Sequence, residues 1–321
     1  MRHIALLSLC FLMFKPALAM AELIQIDGPH GPLSGELVTA TGAQDIVVII
    51  PGSGPIDRDG NSAQMGLQSD TYKLIANELK SVGVSSLRID KRGFYDSAAA
   101  ISNPNEVTIN AYAEDAEKWV ERASEMAPCV WIAGHSEGGL VALVAAQNAP
   151  KNLCGLILMA TSGRPTGQLM LEQLRSNPAN KPFLPEIEGL VADLEAGRSR
   201  DPASLAPAIQ PFFSKGLQRY MIDLFSYDPI EVAENWQGRT LIMQGSADLQ
   251  VKPQDADLLE KAMPQAIRVD LPNATHMMKM DIPGNPMATY SDPALALHSK
   301  TLLTGIIFLD QTDTHRRAPQ Q

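Results

Sequence analysis

Fully apolar runs alternate with segments of helical period along this chain. Ile46-Val47-Val48-Ile49-Ile50 is apolar and β-branched throughout, as in a strand buried on both faces. Thr71 to Val82 follows, with Leu74, Ile75 and Leu79 on one helical face. Val84 to Ile89 predicts the next strand, and Val107 to Met126 mixes acids and apolar residues at helical period. Cys129 to Ala133 and Gly155 to Ala160 predict two further strands, with a helix over Leu140 to Ala146 between them. At the front, Leu23–Asp27 and Leu33–Thr39 flank Gly28-Pro29-His30-Gly31-Pro32, an antiparallel pair joined by a turn.

The rhythm breaks after Thr161. Residues 164–235 are rich in Pro, Leu and charge and contain no β-branched run, with helices expected over Leu169–Leu174, Ile187–Leu194 and Leu217–Phe225. The alternation resumes with a strand at Thr240–Met243, a helix at Asp255–Ala262, a strand at Ile267–Leu271 and a closing helix at Ala294–Leu309. This order predicts an α/β core, 22–163 plus 236–312, with a mostly parallel sheet covered by helices on both faces. The 164–235 block is expected to be an inserted helical lid, and 313–321 a frayed tail.

Composition narrows the function. The chain has 321 residues, 45% of them hydrophobic, enough for one large core plus an insertion. A formal net charge of −10 argues against nucleic acid as a partner. Met1-Arg2-His3 followed by an apolar run from Ile4 to Phe14 is too short to span a bilayer and suits a signal peptide. Cleavage after Ala19 or Ala21 predicts an exported protein, periplasmic or secreted, with no stable membrane insertion afterwards. Cys129 and Cys154 begin runs expected to be neighbouring parallel strands. An oxidising compartment permits a disulfide between them, and two buried free thiols are the alternative.

The chemistry centres on Gly134-His135-Ser136-Glu137-Gly138-Gly139, between a predicted strand and a predicted helix. Strand, Gly-x-Ser-x-Gly, helix is the layout of a nucleophile elbow, with Ser136 as the expected nucleophile. Its hydroxyl needs a base, and the base an orienting acid, each at a strand's C-terminal end. His276 follows the strand Ile267–Leu271 by a short loop and is the expected base. His135 is expected to point away, His30 lies in the first turn, His298 in the closing helix and His315 in the tail. Asp248 follows the strand at Thr240–Met243, with Gly245 allowing a sharp turn, and is the expected acid. The turn Pro51-Gly52-Ser53-Gly54-Pro55 after Ile50 offers one oxyanion donor, the Ser53 N–H, and the Glu137 N–H offers the second. Asp57, Arg58 and Asp59 read as charges pinning a loop. Met277, Met278 and Met280 could line an acyl pocket or simply pack. No metal site and no cofactor are expected.

The order Ser136, Asp248, His276, with a Gly-rich turn after an early strand, resembles the α/β-hydrolase superfamily over residues 23 to 310. Pro51 to Asn61 is similar to the opening signature of bacterial esterase-like hydrolases of the serine-aminopeptidase-like subgroup. Asp90-Lys91-Arg92-Gly93 resembles their loop after the next strand. Many relatives carry His-Gly where this chain has Pro51-Gly52. The resemblance implies the α/β-hydrolase fold and a small-molecule acyl substrate, most simply a carboxylic ester. A serine aminopeptidase or amidase is the first rival, and would need lid acids, of which Glu172, Glu186, Glu188, Asp193 and Glu195 are available. A non-catalytic binding module on the same fold is the second.

Overall fold

The structure is a computed structural model that describes residues 21–148 and 150–301. The expected signal peptide and frayed tail lie outside the described residues, save Ala21, and so does the second half of the expected closing helix, 302–309.

In chain order the elements are β1 (Glu22–Asp27), β2 (Pro32–Val38), β3 (Asp45–Ile50), β4 (Asn61–Ser62), β5 (Leu67–Gln68), α1 (Thr71–Ser81), β6 (Ser85–Ile89), α2 (Ile109–Ser124), β7 (Cys129–His135), α3 (Glu137–Ala145) and β8 (Leu153–Met159). Then come α4 (Thr166–Ser176), α5 (Leu184–Glu195), α6 (Lys215–Phe225), α7 (Pro229–Glu234), β9 (Arg239–Gly245), α8 (Pro253–Ala262), β10 (Ile267–Leu271) and α9 (Ala288–Ser291). The main sheet runs β1-β2-β6-β3-β7-β8-β9-β10. β1 pairs antiparallel with β2, and β2 with β6; every pairing from β6 to β10 is parallel. This is the mostly parallel sheet that the alternation of apolar runs predicts, in the α/β-hydrolase architecture that the resemblance implies.

The period of two along the strands divides the core. Ile46, Val48 and Ile50 of β3 join one apolar cluster with α2, α3, α8 and the helices between β8 and β9. Val47 and Ile49 join the opposite cluster with Tyr72, Ile75 and Leu79 of α1. β7 repeats the division, with Val130 and Ile132 on one side and Trp131 and Ala133 on the other. Such strands have no polar face, so helices must cover both sides.

Cys129 and Cys154 sit on adjacent strands with Cα atoms 5.6 Å apart and form a disulfide. It joins β7 and β8 at the end of β7 opposite Ser136.

The structure revises one local expectation and refines another. Ala294 to His298 are not helical: Asp292 Oδ1 accepts from the Ala294 N–H at 2.9 Å and Leu297 bridges to Lys279. A turn does follow Gly245, with the Asp248 N–H donating to its carbonyl at 3.4 Å, but Gly245 itself does not adopt a positive φ. Its requirement is close approach, since a Cβ there would lie 2.2 Å from the Ala274 carbonyl oxygen. Among the described residues, no helix is long and apolar enough to cross a membrane.

Candidate active site

The parallel strands bring the expected site residues to one edge of the sheet. Gly52 and Ser53 follow β3, Ser136 follows β7, Asp248 follows β9 and His276 follows β10. In a parallel sheet these are all C-terminal strand ends, where open α/β sheets bind ligands.

Ser136 has φ 55° and ψ −121°, a left-handed conformation that L side chains rarely adopt. The surroundings enforce it. A Cβ on Gly134 would lie 2.2 Å from the Gly138 carbonyl oxygen, and one on Gly138 would lie 2.4 Å from that of Ile50. The chain can therefore cross itself and pass β3 only with glycine at both positions. The turn projects the hydroxyl, and Glu137 opens α3, so its N–H is among the orphan donors of a helix N-terminus.

His276 and Asp248 are both buried, and His276 Nδ1 lies 2.8 Å from Asp248 Oδ2. The other carboxylate oxygen accepts from the Gln250 N–H at 2.7 Å and the Val251 N–H at 3.0 Å. Burial pushes the Asp248 carboxyl up. The charge and hydrogen bond of His276, with those two backbone donors, outweigh it and hold the group below the usual carboxylate range. An ionised Asp248 fixes the proton of His276 on Nδ1 and leaves Nε2 as the basic nitrogen.

His135 does not simply point away from the site. Its ring is buried, 4.6 Å from that of His276 between centroids. Its Nε2 lies 2.8 Å from the His276 carbonyl oxygen, which can only accept, so the proton is on Nε2. Its Nδ1 then accepts from the Tyr72 hydroxyl at 2.8 Å, and that hydroxyl accepts from the Gly52 N–H at 3.1 Å. Burial, with the neighbouring His276, pushes the His135 pKa down to about 3, so it is neutral.

Sequence reasoning missed Tyr72 because it sits on the apolar face of α1, where its ring looks like core. It also missed Lys91, hidden inside the loop signature after β6. Lys91 is buried; its Nζ donates to the Gly52 carbonyl at 2.6 Å and to Glu137 Oε1 at 3.1 Å, and lies 5.0 Å above the Tyr112 ring.

A cavity of about 280 Å³ joins these parts, lined by Ser53, Ser136 and His276. Its apolar wall includes Ile56, Met65, Leu67, Met277, Met287 and Tyr290, and among the described residues no Asp, Glu, Lys or Arg lines it. Met277 faces the cavity, whereas Met278 is a buried core residue and Met280 is exposed away from it. The β4–β5 hairpin contributes much of the wall; no residue between β8 and β9 takes part.

Asp57, Arg58 and Asp59 hold their loop in place. Asp57 Oδ1 accepts from the Asp59 and Asn61 N–H groups, Arg58 pairs with Asp90 and Asp96, and Asp59 pairs with Arg88. Among the described residues, no group of three or more His, Cys, Asp and Glu is placed to hold a metal.

Comparison with known proteins agrees with this architecture. The family model for serine aminopeptidase, S33, matches residues 64–282. No curated protein matches the sequence. Est1E from Butyrivibrio proteoclasticus, solved with ferulic acid bound, is similar in structure at 17% identity and a TM-score of 0.56, over 92% of this chain and 100% of that one. The esterase EaEST from Exiguobacterium antarcticum aligns at 16% identity and TM-score 0.56, over 91% and 100%. The α/β hydrolase GrgF from Penicillium sp. sh18 aligns at 17% identity and TM-score 0.60, over 91% and 98%. At such identities the structures speak for the fold, and the family match covers more than half the sequence, so this chain belongs to the serine aminopeptidase, S33, family of α/β hydrolases.

Proposed function

We propose that the protein is an exported serine hydrolase that cleaves neutral carboxylic esters through an acyl-enzyme. The observation that carries this reading is the 2.8 Å Asp248–His276 bond beside Ser136 in a cavity that no Asp, Glu, Lys or Arg lines among the described residues. His276 Nε2 takes the Ser136 proton as Oγ attacks the ester carbonyl carbon. The Ser53 and Glu137 N–H groups receive the oxyanion. The tetrahedral intermediate collapses, the C–O bond to the alcohol breaks, and His276 delivers the proton to the leaving oxygen. Water, deprotonated by the same nitrogen, attacks the acyl-enzyme; the C–O bond to Ser136 breaks and the serine regains its proton.

The uncharged wall favours an ester over a peptide with a free amino terminus, which would need a carboxylate within reach. Four of the acids named between β8 and β9 have other partners: Glu172 pairs with Arg164, Glu188 with Arg175, and Asp193 with Arg198 and Arg200, while Glu186 accepts from the Ala206 N–H. About 280 Å³ lies just under the usual small-molecule range of about 300–1,000 Å³, which suits a small to medium acyl group. That Est1E was solved with ferulic acid bound shows a carboxylic acid held on the same fold. Export is supported by the basic start and apolar run of the first residues, and the disulfide suits an oxidising compartment.

The test is a fluorophosphonate probe with a panel of p-nitrophenyl esters and aminoacyl anilides. The wild type should label and turn over esters, and Ser136→Ala should do neither. Anilide turnover without ester turnover would favour the aminopeptidase, and absence of labelling would favour a binding module.

A further inference from the structure

We propose that Lys91 and Tyr72 are positioning residues that hold the Gly52 peptides so that the Ser53 N–H faces the oxyanion. The inference rests on the serine-hydrolase reading and adds to it the device that sets the geometry of the first donor.

Gly52 lies in the turn Pro51-Gly52-Ser53-Gly54-Pro55 and has no side chain of its own to anchor its two flanking peptides. Side chains from elsewhere anchor them. The Gly52 N–H belongs to the peptide before it and donates to the Tyr72 hydroxyl at 3.1 Å. The Gly52 carbonyl belongs to the peptide after it and accepts from Lys91 Nζ at 2.6 Å. That second peptide also carries the Ser53 N–H. The peptide is planar and trans, so its N–H points opposite to its C=O. An ammonium that grips the Gly52 carbonyl from inside the protein therefore turns the Ser53 N–H outward, toward the cavity that Ser53 lines.

Lys91 holds the second arm as well. Its Nζ lies 3.1 Å from Glu137 Oε1, and Glu137 carries the other expected donor on its own backbone. One cation thus ties both arms of the hole together. Tyr72 links the same turn to the base: its hydroxyl donates to His135 Nδ1, whose Nε2–H donates to the His276 carbonyl. Lys91 and Glu137 side chains are only 2% and 3% exposed. A buried ion pair is a poor source of net stability, and an apolar pair of similar volume often replaces it without loss. Preorganised donors, by contrast, are a large source of rate.

This contrast gives the experiment. The double variant Lys91→Met/Glu137→Leu removes both charges together, so no lone charge stays buried, and it keeps the backbone N–H at 137. With p-nitrophenyl ester as substrate, it should melt close to wild type and bind substrate with a KM close to wild type. Its kcat should fall by about tenfold to a thousandfold, the upper end being the loss of one whole donor. A folded double variant with wild-type kcat, or one whose loss lies all in KM, overturns the proposal. If the double variant does not fold, Tyr72→Phe decides: it removes one hydroxyl and unpairs no charge. It should lower kcat about tenfold at unchanged KM, and wild-type kcat in Tyr72→Phe overturns the proposal. A wild-type protein that neither labels with fluorophosphonate nor hydrolyses any ester defeats the serine-hydrolase reading itself, a distinct result.

Discussion

Acidification should destabilise this protein through His135, a residue beside Ser136 rather than one of the three proposed catalytic residues. In the folded state its Nε2–H is spent on the His276 carbonyl and its Nδ1 accepts from Tyr72, so a second proton has no welcoming site. Burial, with His276 beside it, pushes its pKa down to about 3, against about 6.5 in an unfolded chain. The unfolded chain therefore takes the proton first. The contribution is fully present above about pH 6.5 and is lost as pH falls toward the folded value. Between pH 7 and pH 5 the loss from this one group is about 2 kcal/mol, because the unfolded imidazole is then almost wholly protonated and the folded one is not. Asp248, also depressed, acts in a lower window. Its contribution is present above the unfolded carboxylate value of about 3.9 and is lost as pH falls through its folded pKa. The assay is urea unfolding of wild type and His135→Gln at pH 7 and pH 5. The difference between the two proteins cancels the groups they share, His276 included. Wild type should lose about 2 kcal/mol more than the variant over this interval. Equal losses in the two proteins would refute the picture of a neutral, buried His135.

Three further outcomes follow from the geometry. Asp248→Asn should lower kcat on the order of 10⁴-fold: with Oδ1 taken by the Gln250 and Val251 N–H groups, the amide NH2 must face His276 Nδ1 and impose the wrong tautomer. A folded Asn variant with near wild-type kcat in ester hydrolysis would contradict it. Gly138→Ala puts a Cβ 2.4 Å from the Ile50 carbonyl oxygen and 2.7 Å from that of Pro51, both backbone, so either α3 or the turn after β3 must move. It should cost about 1–3 kcal/mol in a denaturant melt and lower kcat as well, and an unchanged melt would show that the packing is looser than described. The Cys129–Cys154 bond closes a segment with a sequence separation of 25, so replacing both cysteines by Ala should cost about 3 kcal/mol while sparing activity. Mass spectrometry after alkylation checks the bond itself, and two modified thiols in the folded, oxidised protein would refute it.

What the sequence made legible was whatever follows from short-range period. β3 and β7 announce themselves as apolar runs because both their faces are buried, and α1 and α2 show helical spacing because only one face of each is buried. Ser136, Asp248 and His276 could be picked out because each comes after a strand in a parallel sheet, and the order of strands already puts them at one edge. The β4–β5 hairpin was not legible: two-residue strands carry no period, yet this hairpin walls the cavity with Met65 and Leu67. Nor were α7 and α9, of six and four residues, long enough to show one. Tyr72 meets His135 across 63 positions and Lys91 meets Glu137 across 46, and no local pattern reports such a meeting.

The loop after β6 shows why that second kind of information matters. Asp90, Lys91 and Arg92 are consecutive and all buried, and each pairs with a different segment. Asp90 holds Arg58 beyond the Gly-rich turn, Lys91 holds Glu137 at the start of α3, and Arg92 holds Asp115 in the middle of α2 through two bonds of 2.6 and 2.8 Å. Three charges taken out of water carry a desolvation cost that their partners do little more than offset. Their effect is directional instead. An apolar contact would tolerate a shift of several tenths of an ångström along the surface, whereas the paired Arg92–Asp115 fork and the Lys91 contacts fix both distance and angle. Short strands end at slightly different heights, and glycines leave the turns above them free. The charged loop after β6, the strand beside β3, gives the turn after β3 a fixed reference to α3, which begins one residue beyond Ser136. The apolar periods build the sheet that gathers the site to one edge, and the buried charges set the angles at which its backbone donors meet.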